Sequence, residues 1–239
     1  MFTRSIFNTA TLLAIPAILL VASCDPMLIG SGAILTENRD VEGFTGLHIS
    51  VPGDVRVNQG DMFHVQVQAE ENLLPYLETE RNGNDLHIYF SENVHDVDGL
   101  RITISMPKLK NVQLSGSAQM ETNGTFSGGT LNLGVSGSGS LMLDDMVFPY
   151  IAANVSGSGE IALRGQTEEL DIHVSGSGEV DALHCAAKTG DVHVSGSGSV
   201  WLTVSDLLKA HISGSGNVWY EGNPVLDTHV SGSGKVRKL

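Results

Sequence analysis

Cysteine is nearly absent from this chain. Cys24 and Cys185 are the two in 239 residues, so with Cys24 committed to lipidation no intrachain disulfide can staple the fold, and stability has to come from packing. Positive charge is scarce as well. Thirteen Lys and Arg against 27 Asp and Glu leave a net charge of −14, or −15 once Arg4 leaves with the leader. Nucleic-acid phosphates would be repelled by such a surface, and unassisted docking on an anionic lipid face is disfavoured. Long apolar runs are missing except for Leu12 to Val21, which contains Pro16 and is shorter than the roughly 20 residues a spanning helix needs. No Ser-His-Asp, zinc-site or phosphate-loop signature stands in a suitable context, and no cofactor is implied.

What stands at the amino end is a processing signal over residues 1–23: Arg4, then the apolar run, then small residues. Val21-Ala22-Ser23-Cys24 reads as a lipobox, in which Cys24 is diacylated and becomes the new N-terminus. Two or three acyl chains, at about 0.8 kcal/mol per buried CH₂, hold a protein durably on a membrane where one would not. The alternative is an ordinary secretory leader with Cys after its cleavage site. Residues 24–32 would then be the lipidated Cys and its tether, and residues 33–239 one folded unit. Asp25 resembles an inner-membrane retention signal of enteric bacteria, a rule that does not transfer between bacterial groups. The expected location is the cell envelope, at the outer membrane or the periplasmic face of a membrane.

Self-similarity organises the rest. Leu114-Ser-Gly-Ser-Ala is followed by Ser-Gly-Ser-Gly after Val135, Val155, Val174, Val194, Ile212 and Val230, with leading serines separated by 21, 20, 19, 20, 18 and 18 residues. Such a period belongs to a solenoid. Side chains in a strand alternate faces, and the positions one, three and five before each leading serine, with the fifth after it, are apolar in nearly every copy. Val174, Ile172, Leu170 and Val180 show the pattern around Ser175. Each copy therefore reads as strand, Gly-containing corner, strand and a more variable return, and stacking buries an interior that no copy could bury alone. Glycines supply positive φ at the corner, and serine hydroxyls are expected to bond neighbouring backbone there. Flexible Gly/Ser linkers lack such registered apolar columns. A sandwich of hairpins would not need identical corners at a constant period. The expected fold class is all-β, a parallel β-helix with about 18–21 residues per coil.

Residues 33–110 are less regular and read as opening coils and a cap, with residues 111–239 as the regular repeats. Leu47-His-Ile-Ser-Val, Phe63-His-Val-Gln-Val and Leu86-His-Ile-Tyr-Phe alternate in period two, Asn82-Gly83 marks a tight turn, and Asn72 to Leu77 allows one helical turn.

Gly43-Phe44 through Val51-Pro-Gly-Asp-Val-Arg-Val, Asn72-Leu-Leu, Ile104-Ser-Met-Pro-Lys-Leu and the serial corners together resemble the head GIN domain family of auto-transporter adhesins, from about Gly30 to the C-terminus. The resemblance implies a right-handed β-helix related in shape to pectin-lyase-like folds, a surface or periplasmic location, an adhesive role and a trimeric assembly as one option. No catalytic residues are known for the family, so none carry over.

On the outward face, two positions before the leading serine, stand Gln113, Gly134, Asn154, His173, His193, His211 and His229, and two further back Asp171, Asp191, Lys209 and Asp227. Stacked imidazoles repel one another's charge and so respond to pH, and His beside carboxylate suits a divalent transition metal. Spacing of about 4.8 Å along a row nevertheless favours a solvated polar ladder over a tetrahedral site. Trp201 and Trp219 share an outward position and are binding candidates, for cover or an oligomer contact ahead of sugar stacking. Glu160 and Glu179 share another column, but basic partners are few and catalysis is not expected; Cys185 reads as a small buried apolar residue. The resulting expectation is a non-catalytic lipoprotein, adhesin-like or self-assembling. Its partners would be the membrane through its anchor, a glycan or protein surface, and further copies of itself, since the last coil shows no polar cap. The alternative is a structural or stress-associated envelope protein without external ligand.

Overall fold

The computed structural model describes residues 27–239, so the expected leader and Cys24 lie outside the described residues. Within that range the chain is a β-solenoid. Its regular part is built from Thr130–Gly137, Ser140–Gly157, Glu160–Gly176, Glu179–Gly196 and Ser199–Gly214, each paired in parallel with the next. The leading serines lie in register from coil to coil, Ser115 beside Ser136, then Ser156, Ser175, Ser195, Ser213 and Ser231. Alternation does what the sequence implies: Leu133, Ala153, Ile172, Val192 and Ala210 form one fully buried column, and Leu141, Ile161, Val180, Val200 and Val218 another. Each large aliphatic side chain buried in this way contributes about 1.5–3 kcal/mol. In the last coil inward positions surface: Leu226 is 46% exposed and Val230 40%, although their partners Leu208 and Ile212 in the coil before are buried.

Two details differ from the expected copy. The return, variable in length as expected, is strand too, so that one strand such as Ser140–Gly157 wraps from one corner to the next. Length changes are absorbed there by shifts of pairing register. Leu143 pairs with Leu163, twenty residues on, whereas Met146 pairs with Gly165, nineteen on. The twenty returns between Ala162 and Arg164, and falls to eighteen by Thr189, matching the spacing of the serines on either side.

The second concerns what holds the corners. Ser136, Ser138, Ser156 and Ser158 are exposed, and backbone rather than hydroxyl bonds the coils together. Ser158 N–H donates to Gly137 C=O at 2.9 Å, Ser177 N–H to Gly157 C=O at 2.8 Å and Ser197 N–H to Gly176 C=O at 2.8 Å. Both glycines of a corner leave no room for a Cβ, which at Gly176 would sit 2.6 Å from Gly157 C=O, and the first has a further need. The first has positive φ, 112° at Gly176, a conformation costly for other residues. The second, Gly178, is buried and lacks positive φ; a Cβ there would sit 2.7 Å from Gly159 C=O and collide with the Val155 side chain.

The opening region is reordered. Gly46–Ser50 and Asp54–Gln59 form the first coil, with the corner Ser50-Val51-Pro52-Gly53, and Asp85–Phe90 with Arg101–Met106 forms the second. In space the second lies outside the first, because Gly46–Ser50 pairs in parallel with Asp85–Phe90 on one side and with Asn111–Gly116 on the other. Antiparallel strands close this end: Leu77–Asn82 against Asp85–Phe90, and Ile34–Arg39 against His64–Glu70, which also lies against Arg101–Met106. The tight turn falls one residue later than Asn82-Gly83 suggests, at Gly83-Asn84, with φ of 62° at Gly83. The single helical turn is a 3₁₀ turn at Leu74–Tyr76. Among the described residues no helix is long and apolar enough to cross a membrane.

Candidate functional site: the imidazole face

Because a strand sends every second side chain outward, the residues flanking a buried apolar position project side by side, and parallel registry then copies each into a row. The expected histidines form such a row. His173 and His193 stack with ring centroids 4.7 Å apart and planes 6° apart, and His193 and His211 at 4.9 Å and 12°. His229, in the exposed last coil, tilts to 43° at 6.2 Å.

Carboxylates line the row. Asp171 Oδ1 is 3.1 Å from His173 Nδ1, and Asp191 Oδ1 is 3.1 Å from His193 Nε2. Neither oxygen is exposed, and neither has a hydrogen-bonding partner of good geometry. Tyr150 donates its hydroxyl to Asp171 Oδ2 at 3.0 Å. Burial, then that bond to a carboxylate, push the Tyr150 phenol above its ordinary value. Exposed Ser175, Ser195 and Ser213 run parallel to the imidazoles, and the two rows border a shallow groove.

The row is longer than the repeat predicts. Registry runs from His87 to His48, Gln113, Gly134, Asn154 and on to His173, so two further imidazoles occupy the same column at the far end. His48 and His87 stack at 4.5 Å and 14°. Counting back from Ser-Gly-Ser-Gly misses them because their coils lack that corner. The usable signal was local: Leu47-His48-Ile49-Ser50 has the same apolar-His-apolar-Ser form as Val192-His193-Val194-Ser195.

Trp201 and Trp219 are brought together, stacked at 4.7 Å and 9°. Each indole spends one face on the other, and the outer faces of the pair lie toward their register neighbours Asp181 and Arg237. A sugar ring packs on an open aromatic face, so this geometry suits edge contacts better than a stacking platform. Glu160 and Glu179 are adjacent by register and exposed, while the same column continues as Ser199, Asn217 and Lys235. Cys185 is fully buried and burial pushes its thiol up to about 11, which suits packing and not nucleophilic attack. A separate concavity between the first coils holds Arg56 paired with Glu121 at 2.6 Å and Arg101 facing Asp54 at 3.8 Å, so its charges are largely answered internally.

Known structures share this architecture. A putative adhesin from Bacteroides fragilis superposes with a TM-score of 0.83 at 18% identity, covering 89% of this chain and all of that one. A putative lipid binding protein from Parabacteroides distasonis gives 0.77 at 24% identity over 90% of this chain and all of its own. A putative adhesin from Parabacteroides merdae gives 0.69 at 24% identity, covering 89% of this chain and 99% of that one. No curated protein matches the chain. At these identities the likeness shows the fold alone. The family model described as "Putative auto-transporter adhesin, head GIN domain" matches residues 43–224, which take in both the reordered opening coils and most of the corners. The chain belongs to the head GIN domain family.

Proposed function

We propose that the protein is a lipid-anchored envelope protein that binds a macromolecular surface, adhesin-like, and catalyses no reaction. The observation that carries this reading is the ladder: imidazoles, carboxylates and hydroxyls recur at coil spacing along one face. A row held by paired backbone is already ordered before a partner arrives, which lowers the entropy cost of binding. The family's adhesin description supports the same class, and Cys24 supplies the anchor that an otherwise acidic protein needs to stay at a membrane. The partner is a protein or polar glycan surface met by side-chain edges.

Two experiments test this together. Intact cells are treated with protease, and beads carrying the full chain are offered glycan- and protein-coated surfaces. Protease should strip the solenoid from intact cells, and beads should bind at least one surface, less so when His193 and His211 are both changed to Ala. Complete protection with no bead binding identifies an inward-facing structural protein and overturns the reading.

A second reading, self-association, is favoured by one specific observation. The strand Val225–Gly232 presents Leu226 and Val230 to solvent, in line with Leu208 and Ile212, which are buried in the coil before it, and Val225 beside them is exposed too. An apolar strand at the edge of a sheet is a template for another chain. Light scattering should report assemblies that Val230→Asp disperses; a monomer at all concentrations rejects this reading.

A further inference from the structure

Away from the serine corners, at the reordered end of the solenoid, three ligating side chains converge. Gly46 pairs with Asp85 and His48 with His87, so the outward positions of two neighbouring coils make a square of four sites. Two of them hold stacked imidazoles. The third holds a carboxylate and the fourth no side chain. That vacancy matters. Gly46 does not have positive φ, so its backbone does not call for glycine, but a Cβ there would run into Asp85 Oδ1. The missing side chain lets Asp85 lean across from its own coil to the next, where its Oδ2 comes 3.3 Å from His48 Nε2.

The polar network behind His48 sharpens the point. Gln113 Nε2 donates to Asn111 Oδ1 at 3.2 Å, which leaves Asn111 Nδ2 to donate to His48 Nε2 at 3.2 Å. The same nitrogen faces the Asp85 carboxylate, and because an imidazole nitrogen has a single lone pair, a cation held between the two takes the place of the Asn111 hydrogen bond.

We propose that His48, Asp85 and His87 form a binding site for a divalent transition-metal ion such as zinc. One ligand atom from each lies within 4.8 Å of the other two. Bonds of 2.0–2.1 Å in a tetrahedron put ligand atoms about 3.3 Å apart. His48 and Asp85 already stand at that separation, and a turn of the half-buried His87 ring brings in the third. Two imidazoles and one carboxylate suit zinc, nickel or copper, whereas calcium and magnesium require more oxygen ligands. The fourth position opens outward, toward water or a donor from a partner. The longer histidine row does not gather in this way: Asp171 and Asp191 each serve the imidazole of their own coil, and the ligands run out along a line.

The test is zinc titration by calorimetry of the full chain in detergent, after chelator treatment, with cobalt absorption as a second readout. One equivalent should bind per chain, with cobalt giving the intense visible bands of four-coordination. His87→Ala and Asp85→Asn should each weaken binding by about tenfold or more, and Gly46→Ala should weaken it by displacing Asp85. His173→Ala/His193→Ala should leave it unchanged. Circular dichroism melts confirm that each variant is folded; should His87→Ala not fold, the nearly isosteric Asp85→Asn decides. Absence of binding in the unaltered chain overturns the site, as does binding that Asp85→Asn leaves intact or that only the His173/His193 variant removes.

Discussion

Small residues set the terms at the level of single side chains. The first corner glycine is needed both for its φ and for its lack of volume, the second for its lack of volume alone, so the first should be the costlier to replace. Gly176→Ala should cost about 2–5 kcal/mol, since left-handed backbone strain is joined by a clash of the new Cβ with the Gly157 carbonyl. Gly178→Ala should cost about 1–3 kcal/mol by overpacking against Val155 and the Gly159 carbonyl. Ser177→Ala, exposed, should stay within about 0.5 kcal/mol, and urea unfolding of the three variants ranks them. Cys185 offers an independent measurement. Its folded-state pKa is raised from 9.0 to about 11, so between those values the unfolded chain gives up a proton that the folded one keeps. Stability should therefore fall as pH rises through that window, by at most about 2–3 kcal/mol. Cys185→Ala should flatten that dependence, and a thiol reagent should react with the unaltered protein only after denaturant is added. The inward columns and the buried thiol were legible from alternation alone. The glycine at position 46 was not, since its reason lies in a side chain 39 residues away in the chain.

Strands and coils follow the repeat wherever the repeat exists. Seven leading serines were enough to place the regular part of the solenoid, its buried columns and its rows of His173, His193 and His211. The strand character of the return was hidden because its register shifts erase the period, as between Ala182 and Ala186. Stacking order in the opening coils was hidden for another reason. Parallel pairing specifies neighbours by shape and hydrogen bonding, and nothing in Leu47-His-Ile-Ser or Leu86-His-Ile-Tyr says which lies outside. Coils that contact only their neighbours should be removable as units. Deleting residues 176–195 joins Ser175 to Gly196, and the product should fold with an unchanged circular dichroism shape and a lower melting temperature. The Trp201–Trp219 stack should give an exciton couplet in far-ultraviolet circular dichroism, and Trp219→Leu should abolish it while the protein stays folded.

Across the whole molecule, stability should be graded along the axis. Amide hydrogen exchange should be slowest around Ile172 and Val192, deep between neighbouring coils, and fastest in Val225–Gly232, where the columns lie open. Uniform protection from end to end would contradict this. The swapped stacking at the opposite end carries a mechanical consequence. A pull on the amino end can peel Ile34–Arg39 away from its one partner strand, a few bonds at a time. It then reaches Gly46–Ser50, gripped by Asp85–Phe90 and Asn111–Gly116 together. There the load must shear two ladders at once, so a strand clasped from both flanks becomes a brake on unravelling under any pull that enters from the amino side.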